Sequence, residues 1–472
     1  MGVAAVNKVS NRIEPIRSVK GTRDLLPPDT SLWQRVEAEA HRVFAAYHYG
    51  EIRTPILEET ALFARGVGGE TDIVSKEMYT FQDRPTGREL EESSRKLAEM
   101  VITANDPKPQ LPPAATIQIS GGDLISLRPE ATASVVRAYI EHSLYNQAGI
   151  QKLYYIGPMF RRERPQKGRY RQFYQIGAEV LGSENPLVDV EVLEMLVLFL
   201  ERVGIREYQL LVNSVGCPQC RAGYLEILRQ QLANVKATMC ADCQRRAETN
   251  PLRVLDCKVE ADQPIIEKLP KIIDHLDPAC RQHFDRVTSE LDARGLVYHI
   301  TPRLVRGLDY YTRTTFEITS GALGAQNALV GGGRYDGLSE MLGGPPTPGI
   351  GFSIGQDRLI LAVQAAAILK PGSPLAAYVV WMGESALGPA ARLVRALRAQ
   401  GLSAEIDYDP IKIKKALGAA SKLQARFAII IGDGELASGK YQVKNMESGE
   451  QTEVEEGVIV KYLKGKCMTS EL

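Results

Sequence analysis

Hydrophobic and polar positions alternate along residues 172–181, and this alternation predicts a β-strand with two unlike faces. Side chains in a strand point to opposite faces with a period of two. One face is suited to a core and carries Tyr174, Ile176, Ala178 and Val180. The other face carries Phe173, Gln175, Gly177 and Glu179. Because this second row holds an aromatic ring, an amide and a carboxylate, it predicts the wall of a pocket.

An apolar run at 153–160 predicts the preceding strand, and a polar loop with Pro165 and Gly168 joins the two strands. The loop region carries one carboxylate, Glu163, among six cations: Arg161, Arg162, Arg164, Lys167, Arg169 and Arg171. Charge runs are most often solvated surfaces. A basic tip above a polar strand face also suits a polyphosphate or a nucleic acid, so composition alone leaves both interpretations open.

Other elements follow from the same periodicities. Apolar positions at helical spacing predict a core helix after Thr30, and residues 186–203 predict a helix capped by Asn185 and closed by Gly204. Residues 51–60 predict a short strand that contains Pro55. Residues 331–344 predict a glycine-rich turn before a short helix. From about residue 375, strands and helices alternate, which predicts a small α/β domain on a mostly parallel sheet.

Length and charge limit the class of protein. A chain of 472 residues predicts about three domains. Lys plus Arg and Asp plus Glu both number 57, so contacts with nucleic acid must come from local patches. Without an apolar run of membrane-spanning length or a signal peptide, the expected location is cytoplasmic. Seven cysteines in a large chain argue against a secreted disulfide framework.

Two C-x-x-C pairs lie within residues 217–300, a stretch expected to be mostly helical. Their members are Cys217 and Cys220, then Cys240 and Cys243, with 221–239 between the pairs. This spacing is typical of a tetrahedral structural zinc site in which each pair supplies two ligands. Four free thiols are the alternative. Cys257 and Cys280 lie outside the pattern.

Several short segments share a resemblance to one enzyme family. F-R-x-E at 160–163, followed by R-x-R-Q-F-x-Q at 169–175, resembles motif 2 of class II aminoacyl-tRNA synthetases. G-x-D-R at 355–358 resembles motif 3, and 51–60 resembles motif 1 more weakly. R-G-L-D-Y-Y at 306–311 is similar to the signature of histidyl-tRNA synthetases. The resemblance extends over nearly the whole chain, except 84–122 and the first residues.

The resemblance implies an α+β fold and a homodimer. It implies a class II antiparallel sheet flanked by helices, formed by 1–204 and 301–368, with 84–122 as a flexible insertion. It further implies an inserted, mostly helical domain at 205–300, which holds the cysteine pairs. The C-terminal α/β domain, 372–472, would bind the anticodon.

The implied activity is activation of histidine with ATP to histidyl-adenylate, followed by transfer to the 3′ end of tRNA(His), with Mg²⁺ on the outer phosphates. The implied catalytic residues are Arg161 and Arg306, which suit a reaction in which charge develops on phosphoryl oxygens. The implied histidine-binding residues are Glu130, Thr132, Gln175, Glu179, Tyr310, Tyr311 and Tyr335. The implied ATP-binding residues are Arg161, Glu163, Phe173 and Arg358. Gln166 and Arg171 are the implied tRNA contacts.

Two other functions compete with the ligase. One is a non-catalytic regulatory paralogue of histidine biosynthesis, which would usually lack the C-terminal domain and the arginine motifs. The other is a nucleic-acid-binding module that kept the fold without forming an adenylate. The presence of Arg161, Arg306 and Arg358 weighs against both.

Overall fold

The structure is a computed structural model that describes residues 15–68, 71, 73–83, 123–166, 168–323, 327–366 and 375–468. The chain divides into two compact units, Met1–Lys370 and Pro371–Leu472. The predicted insertion at 84–122 and the loop residue Lys167 lie outside the described residues.

The first unit is built on strands that alternate with helices and loops. Its strands are β1 Gly50–Glu51, β2 Leu57–Glu59, β3 Tyr79–Gln82, β4 Leu124–Leu127, β5 Gln151–Phe160, β6 Gln172–Leu181, β7 Gln209–Ser214, β8 His299–Ile300, β9 Thr312–Thr319, β10 Ala328–Arg334 and β11 Gly349–Gly355. Eight of them form one sheet in the order β1-β5-β6-β11-β10-β9-β7-β8. This sheet is antiparallel except for the parallel pairs β1/β5 and β7/β8 at its edges. β2, β4 and β3 form a small antiparallel sheet.

The helices of the first unit lie between these strands. They are α1 Asp29–Ala46, α2 Thr60–Phe63, α3 Thr132–Glu141, α4 Pro186–Arg202, α5 Pro218–Val235, α6 Ala241–Thr249, α7 Gln263–Ile266, α8 Pro278–Ala293, α9 Leu338–Met341 and α10 Gln356–Ala366. Shorter 3₁₀ segments are Leu144–Asn146, Lys236–Thr238, Pro251–Val254, Glu260–Asp262, Ile272–His275 and Gly321–Leu323, and Ala64–Gly68 and Ile73–Glu77 are single π-helical turns. The caps of α4 are those expected: the Asn185 side chain accepts the Leu187 N–H at 3.0 Å, and Gly204 has φ 87°.

The core lies between one face of the large sheet and helices α1, α4 and α8. The apolar face of β6 contributes Ile176, Ala178 and Val180, with Tyr174 packed against its edge. Tyr174 meets Trp33 of α1 edge-to-face, with ring centroids 5.5 Å apart. The other face of β6 is therefore free to form a site, as its alternation predicts.

A buried ion pair joins α4 to β10. Arg334 and Asp189 are both fully buried, and Nε of Arg334 lies 2.8 Å from Oδ1 of Asp189. The Arg334 guanidinium also donates to the Ser183 carbonyl at 3.1 Å. Because each charge is paired and hydrogen-bonded, the pair fixes the end of β10 against α4.

Two local expectations need correction. Residues 51–60 do not form one strand, because Pro55 lies in the irregular segment between β1 and β2. Residues 331–333 do not form a glycine-rich turn, because they lie inside β10. A Cβ atom on Gly332 would overlap the Phe316 ring of β9, so close strand packing requires glycine there.

Residues 217–300 are mostly helical, as expected, and belong to the first unit. Tyr224, Leu228 and Leu232 of α5 share a hydrophobic cluster with Tyr310 and Tyr311. The inserted segment is therefore in contact with the loop that carries the R-G-L-D-Y-Y motif.

The second unit has the alternating order that the sequence predicts. Its elements are β12 Ala377–Trp381, α11 Glu384–Ala399, β13 Ala404–Ile406, α12 Ile413–Lys422, β14 Phe427–Ile431, α13 Asp433–Ser438, β15 Lys440–Asn445, β16 Gln451–Glu455 and α14 Ile459–Met468, with a 3₁₀ turn at Glu456–Val458. The sheet order is β13-β12-β14-β15-β16. Its first three strands are parallel, and β15 and β16 add an antiparallel hairpin. Among the residues that the structure describes, no helix is both long and apolar enough to cross a membrane.

Candidate active site

A cavity of about 310 Å³ lies on the polar face of the large sheet. Its floor comes from β6, β10 and β11, and its walls come from the hairpin loop after β5 and the loop before β9. The lining includes most of the residues that the sequence nominated: Glu130, Thr132, Arg161, Glu163, Phe173, Gln175, Arg306, Tyr310, Tyr311, Tyr335 and Arg358. Three antiparallel strands thus bring together residues that lie far apart in the chain.

Glu179 is fully buried behind the lining residues Thr132 and Tyr335, at the closed end of this site. The Thr132 hydroxyl donates to its Oε1 at 2.7 Å, and the Tyr335 hydroxyl donates to its Oε2 at 2.5 Å. Burial raises the pKa of Glu179 from 4.5 to about 8, although both hydroxyl donors act to lower it. A Cβ atom on Gly351 of β11 would overlap the Glu179 carboxylate, so glycine at that position leaves room for the group.

Glu130 has a structural role as well as a place in the cavity lining. Its two carboxylate oxygens accept the N–H groups of Thr132 at 2.8 Å and Ala133 at 2.9 Å, at the start of α3. Burial raises the pKa of Glu130, and these two N–H bonds and the nearby Arg161 oppose the rise. Glu130 therefore fixes the helix end that presents Thr132 to Glu179.

Among the residues that the structure describes, three buried polar atoms beside the cavity have no hydrogen-bond partner: Gln175 Oε1, the Tyr155 hydroxyl and Arg306 Nε. The Gln175 amide donates weakly to the Ser353 hydroxyl at 3.4 Å, which leaves its Oε1 unpaired. The Tyr155 hydroxyl on β5 is buried over Gly177 and is also unpaired. Unpaired buried polar atoms are costly, and at a cavity they indicate a polar ligand.

Three tyrosine rings close the same end of the cavity. Tyr310 and Tyr311 have ring centroids 4.8 Å apart, and Tyr310 meets Tyr335 edge-to-face at 5.7 Å. All three are at least nine-tenths buried. Their hydroxyl groups and faces form a small amphipathic compartment beside Glu179.

Arg306 crosses the floor of the cavity above β10. Its Nη1 lies 2.5 Å from Oε2 of Glu317, a carboxylate on β9. A Cβ atom on Gly331 would overlap the Arg306 guanidinium, so this glycine allows the arginine to lie flat on the strand. The cation is thus held in place before any ligand binds.

The open end of the cavity carries a second group of cations. The Arg161 guanidinium lies 5.3 Å from the Phe173 ring centroid and donates through Nε to the Pro129 carbonyl at 2.9 Å. Glu163 lies 3.9 Å from Arg161 and 3.2 Å from Arg169. This cluster places guanidinium groups and one aromatic face around the same space.

Arg358, at the start of α10, completes the open end. Its Nη1 donates to the Ala328 carbonyl at 2.9 Å. Burial lowers the pKa of Arg358, and the neighbouring Arg169 lowers it further. A polyanion would relieve the repulsion between these two cations.

Gln166 and Arg171, nominated from the hairpin loop, do not line the cavity. Gln166 is exposed, and its backbone pairs with that of Arg169. Arg171 is half-buried, and its N–H donates to the Gly21 carbonyl at 2.7 Å. The structure therefore separates these two residues from the cavity.

Sequence reasoning missed three contributors to the site. Tyr155 was predicted only as part of the apolar run at 153–160, and Glu317 was not nominated as a site residue. The signal for Glu317 was the one carboxylate in the strand segment 312–319. Asp357 accepts the Tyr174 N–H at 3.2 Å and pairs with Arg23 at 2.7 Å, so it holds the start of β6 rather than a ligand.

The four cysteines expected to share one zinc ion do not converge. Cys217 and Cys220 join Cys280 and Asp277, whereas Cys240 and Cys243 join Cys257 and Asp262. The expected single four-cysteine site is therefore wrong in its ligand set. The spacing of the pairs identifies local ligands, but the turns and helices between them carry the pairs to separate places.

Comparisons with known proteins give one consistent family. The family model described as "Histidyl-tRNA synthetase" matches residues 110–359, and that described as "Anticodon binding domain" matches 376–466. The histidine–tRNA ligase of Solibacter usitatus is 55% identical over 440 residues, which cover 93% of this chain and 96% of the relative. The ligase of Koribacter versatilis is 54% identical over 456 residues, with 95% and 96% covered. The crystal structure of apo S. aureus histidyl-tRNA synthetase covers 95% of this chain and 100% of its own, at 38% identity and a TM-score of 0.73.

Proposed function

The chain belongs to the histidyl-tRNA synthetase family, and we propose that its cavity takes histidine at the end closed by Glu179 and ATP at the end lined by Arg358. As a histidine–tRNA ligase, it couples ATP cleavage to AMP and diphosphate with the attachment of histidine to tRNA. The assignment of each residue to one substrate is the proposal.

The observation that carries the proposal is the environment of Glu179. A neutral imidazole offers one N–H donor and one acceptor nitrogen. The buried Glu179 carboxyl group, oriented by Thr132 and Tyr335, supplies an oxygen acceptor for the donor nitrogen. The Tyr311 hydroxyl supplies a donor for the other nitrogen, with Tyr310 beside it. A buried site with paired polar groups rejects amino acids that cannot complete those pairs.

The α-amino group of histidine needs hydrogen-bond acceptors. Gln175 Oε1 is a buried acceptor without a partner on the cavity wall. The Glu130 carboxylate and the Thr132 hydroxyl lie on the same lining. These three groups give the ammonium a set of oxygens and a compensating negative charge.

Activation requires the histidine carboxylate to attack the α-phosphorus of ATP. One carboxylate oxygen forms the new bond, and diphosphate leaves with the electrons of the broken P–O bond. Arg161 and Arg306 offset the meeting of two anions and the charge that develops on the phosphoryl oxygens. In the second step, the terminal ribose hydroxyl of the tRNA attacks the carbonyl carbon and AMP leaves.

The adenine base fits between an aromatic ring and a guanidinium plane. Phe173 and Arg358 both line the open end of the cavity and supply those two surfaces. Mg²⁺ prefers carboxylate and phosphate oxygens, and Glu163 presents a carboxylate on this wall. Bound beside Glu163, Mg²⁺ would neutralise the outer phosphates.

The tRNA contacts lie away from the small-molecule cavity. Gln166 is exposed on the hairpin loop and Arg171 lies at its base, so we assign both to the acceptor end of the tRNA. We assign 372–472 to anticodon binding, in line with the family model that matches 376–466. The basic face of α12, with Lys412, Lys415 and Lys422, suits a phosphate backbone.

The remaining assignments follow the family. We propose a catalytic core of 1–204 and 301–368, an inserted domain of 205–300, a homodimer, and a cytoplasmic location. The regulatory alternative is less supported, because three arginines suited to ATP line the cavity: Arg161, Arg306 and Arg358.

Two substitutions at opposite ends of the cavity test which end binds histidine and which end binds ATP. Tyr311→Phe removes one hydroxyl, so it should raise KM for histidine about tenfold and leave KM for ATP unchanged. Arg358→Ala should raise KM for ATP about tenfold or more and leave KM for histidine unchanged. Both are measured by histidine-dependent exchange of labelled diphosphate into ATP. Equal effects of either variant on both KM values would overturn the proposed orientation.

A further inference from the structure

Six of the seven cysteines lie in two clusters of the inserted segment. The first cluster comprises Cys217, Cys220, Asp277 and Cys280, and the second comprises Cys240, Cys243, Cys257 and Asp262. Within each cluster the three sulfur atoms and one carboxylate oxygen lie within 4.8 Å of one another. The seventh cysteine, Cys467, belongs to the second unit and to neither cluster.

The spacing of the sulfur atoms suits a shared metal ion. In a tetrahedral zinc site with Zn–S bonds of about 2.3 Å, two sulfur atoms lie about 3.8 Å apart. The Cys217 and Cys220 sulfur atoms are 3.6 Å apart, and those of Cys240 and Cys257 are 3.9 Å apart. A disulfide needs about 2.05 Å, so neither pair is at bonding distance.

A carboxylate completes each set of three sulfur atoms. Oδ2 of Asp277 lies 3.1 Å from the Cys217 sulfur and 3.0 Å from the Cys220 sulfur. In the second cluster, Oδ2 of Asp262 lies 3.3 Å from the Cys257 sulfur. In a tetrahedral zinc site a ligand oxygen and a ligand sulfur lie about 3.5 Å apart, so these oxygen–sulfur distances are within about half an ångström of that value.

The backbone around both clusters is arranged for thiolates. The Asp277 N–H donates to the Cys220 sulfur at 3.1 Å, and the Val259 N–H donates to the Cys257 sulfur at 3.4 Å. Cys217 is the N-cap residue of α5, and Cys240 is the N-cap residue of α6, where its sulfur accepts the Cys243 N–H. N–H donors and helix N-termini both favour negative sulfur, and such donors fix metal ligands.

We propose that the inserted segment binds two zinc ions, one at each cluster, each held by three thiolates and one carboxylate. Cysteine sulfur and carboxylate oxygen are ligands that Zn²⁺ accepts in tetrahedral sites. Binding at one cluster releases a proton from each thiol that is not already ionised. Four protein ligands leave no open position for water, so both sites are structural.

Both clusters hold segments that reach the active-site loop. Arg221 follows Cys220 directly, and its guanidinium donates to the backbone carbonyls of Tyr311 and, at 3.3 Å, Asp309. From the segment between Cys243 and Cys257, Arg253 donates to the Gly307 carbonyl at 2.6 Å. Zinc at either cluster would therefore fix one support of the loop that lines the histidine end of the cavity.

Zinc counting on the full-length chain tests the proposal. The protein is purified under reducing conditions without chelator, and zinc per chain is measured by plasma mass spectrometry and by native mass spectrometry. The wild type should hold two zinc ions, Cys257→Ser and Cys280→Ser one each, and the double variant none. The matched control Cys467→Ser should retain two. One zinc per chain, with no loss in Cys257→Ser or Cys280→Ser, would instead support a single site made by the two C-x-x-C pairs and overturn the proposal.

Two further measurements avoid dependence on variants that fail to fold. Wild-type protein stripped of zinc and titrated with Co²⁺ should develop thiolate-to-cobalt charge-transfer absorption that saturates at two equivalents. Asp277→Asn keeps an N-cap residue for α8 but removes the carboxylate ligand, so it should weaken Co²⁺ binding at one site only. Saturation at one equivalent or absence of the absorption would overturn the proposal.

Discussion

The active-site cavity and the two cysteine clusters all gather polar groups in a small space, yet they differ in how those groups are paired. In the cavity, the Gln175 Oε1 and the Tyr155 hydroxyl have no hydrogen-bond partner among the described residues, and burial raises the pKa of Glu179 to about 8. In the clusters, three sulfur atoms and a carboxylate face one another. The polar groups of the cavity therefore need a substrate to complete their hydrogen bonds. Each cluster instead surrounds one position for a metal ion with four protein ligands. A site that leaves polar groups unpaired for an exchangeable ligand lowers the stability of the folded protein. A metal ion held by four protein ligands raises that stability.

The largest expected effect concerns the pH dependence of stability set by Glu179. Its pKa rises from 4.5 to about 8 on folding, so between these pH values the folded state binds a proton that the unfolded state lacks. The free energy of unfolding therefore decreases as the pH rises through this window. In Glu179→Gln this decrease should be absent, which makes the variant more stable than the wild type at pH 8 by a few kcal/mol.

Urea unfolding of both proteins from pH 5 to pH 9 measures that difference. The two free energies should approach each other near pH 5 and separate as the pH rises. If the free energies of unfolding of the two proteins changed in parallel with pH, Glu179 would have an ordinary pKa. Its burial would then not lower the stability of the folded state at high pH.

The next largest effect concerns the cation on the cavity floor. Arg306→Ala should reduce kcat/KM for diphosphate exchange about 10²- to 10³-fold, because it removes a preorganised charge at the reacting phosphate. Arg303→Ala is the matched control, since Arg303 pairs with the exposed Glu267 outside the cavity lining, and its effect should be within about twofold. A similar loss in both variants would contradict the role of Arg306.

A smaller effect is expected from Arg221, which links a cysteine cluster to the active-site loop. Arg221→Ala removes the hydrogen bonds to the carbonyls of Asp309 and Tyr311, so the loop should lose a support and KM for histidine should rise about tenfold. KM for ATP and the zinc content should not change. Arg229→Ala, an exposed position on the same helix, serves as the control, and an equal rise there would show that any change on α5 disturbs the site.

The smallest effect is expected on the hairpin loop. Gln166→Ala should leave diphosphate exchange unchanged and reduce tRNA charging by a few-fold, because Gln166 is exposed and lies outside the cavity lining. Aminoacylation at limiting tRNA concentration measures this change. A reduction of diphosphate exchange would place Gln166 in the activation step instead.

The residues on β6 were predictable because strand geometry has a strict period of two. Once 172–181 is a strand, Gln175 and Glu179 must share a face, and the neighbouring strands β5 and β11 fix which face meets the core. The same period assigns Phe173 to the cavity. Recognition of family motifs then connected this face with Arg306 and Arg358, which no local pattern could do.

The cysteine ligand sets were not predictable from spacing. C-x-x-C shows that two sulfur atoms are close, but the third ligand comes from distant positions such as Cys280 and Cys257. Gly331 illustrates a second error, in which a local pattern predicted the wrong structure. A glycine run was interpreted as a turn, although Gly331 lies in a strand and is required because Arg306 lies against it. In both cases the decisive contact is tertiary and leaves no local periodicity.

The central claim is that the cavity activates histidine and no other amino acid. Exchange of labelled diphosphate into ATP should require histidine, and it should be absent with each of the other amino acids supplied alone. Exchange that histidine does not support, measured on folded protein, would contradict the account.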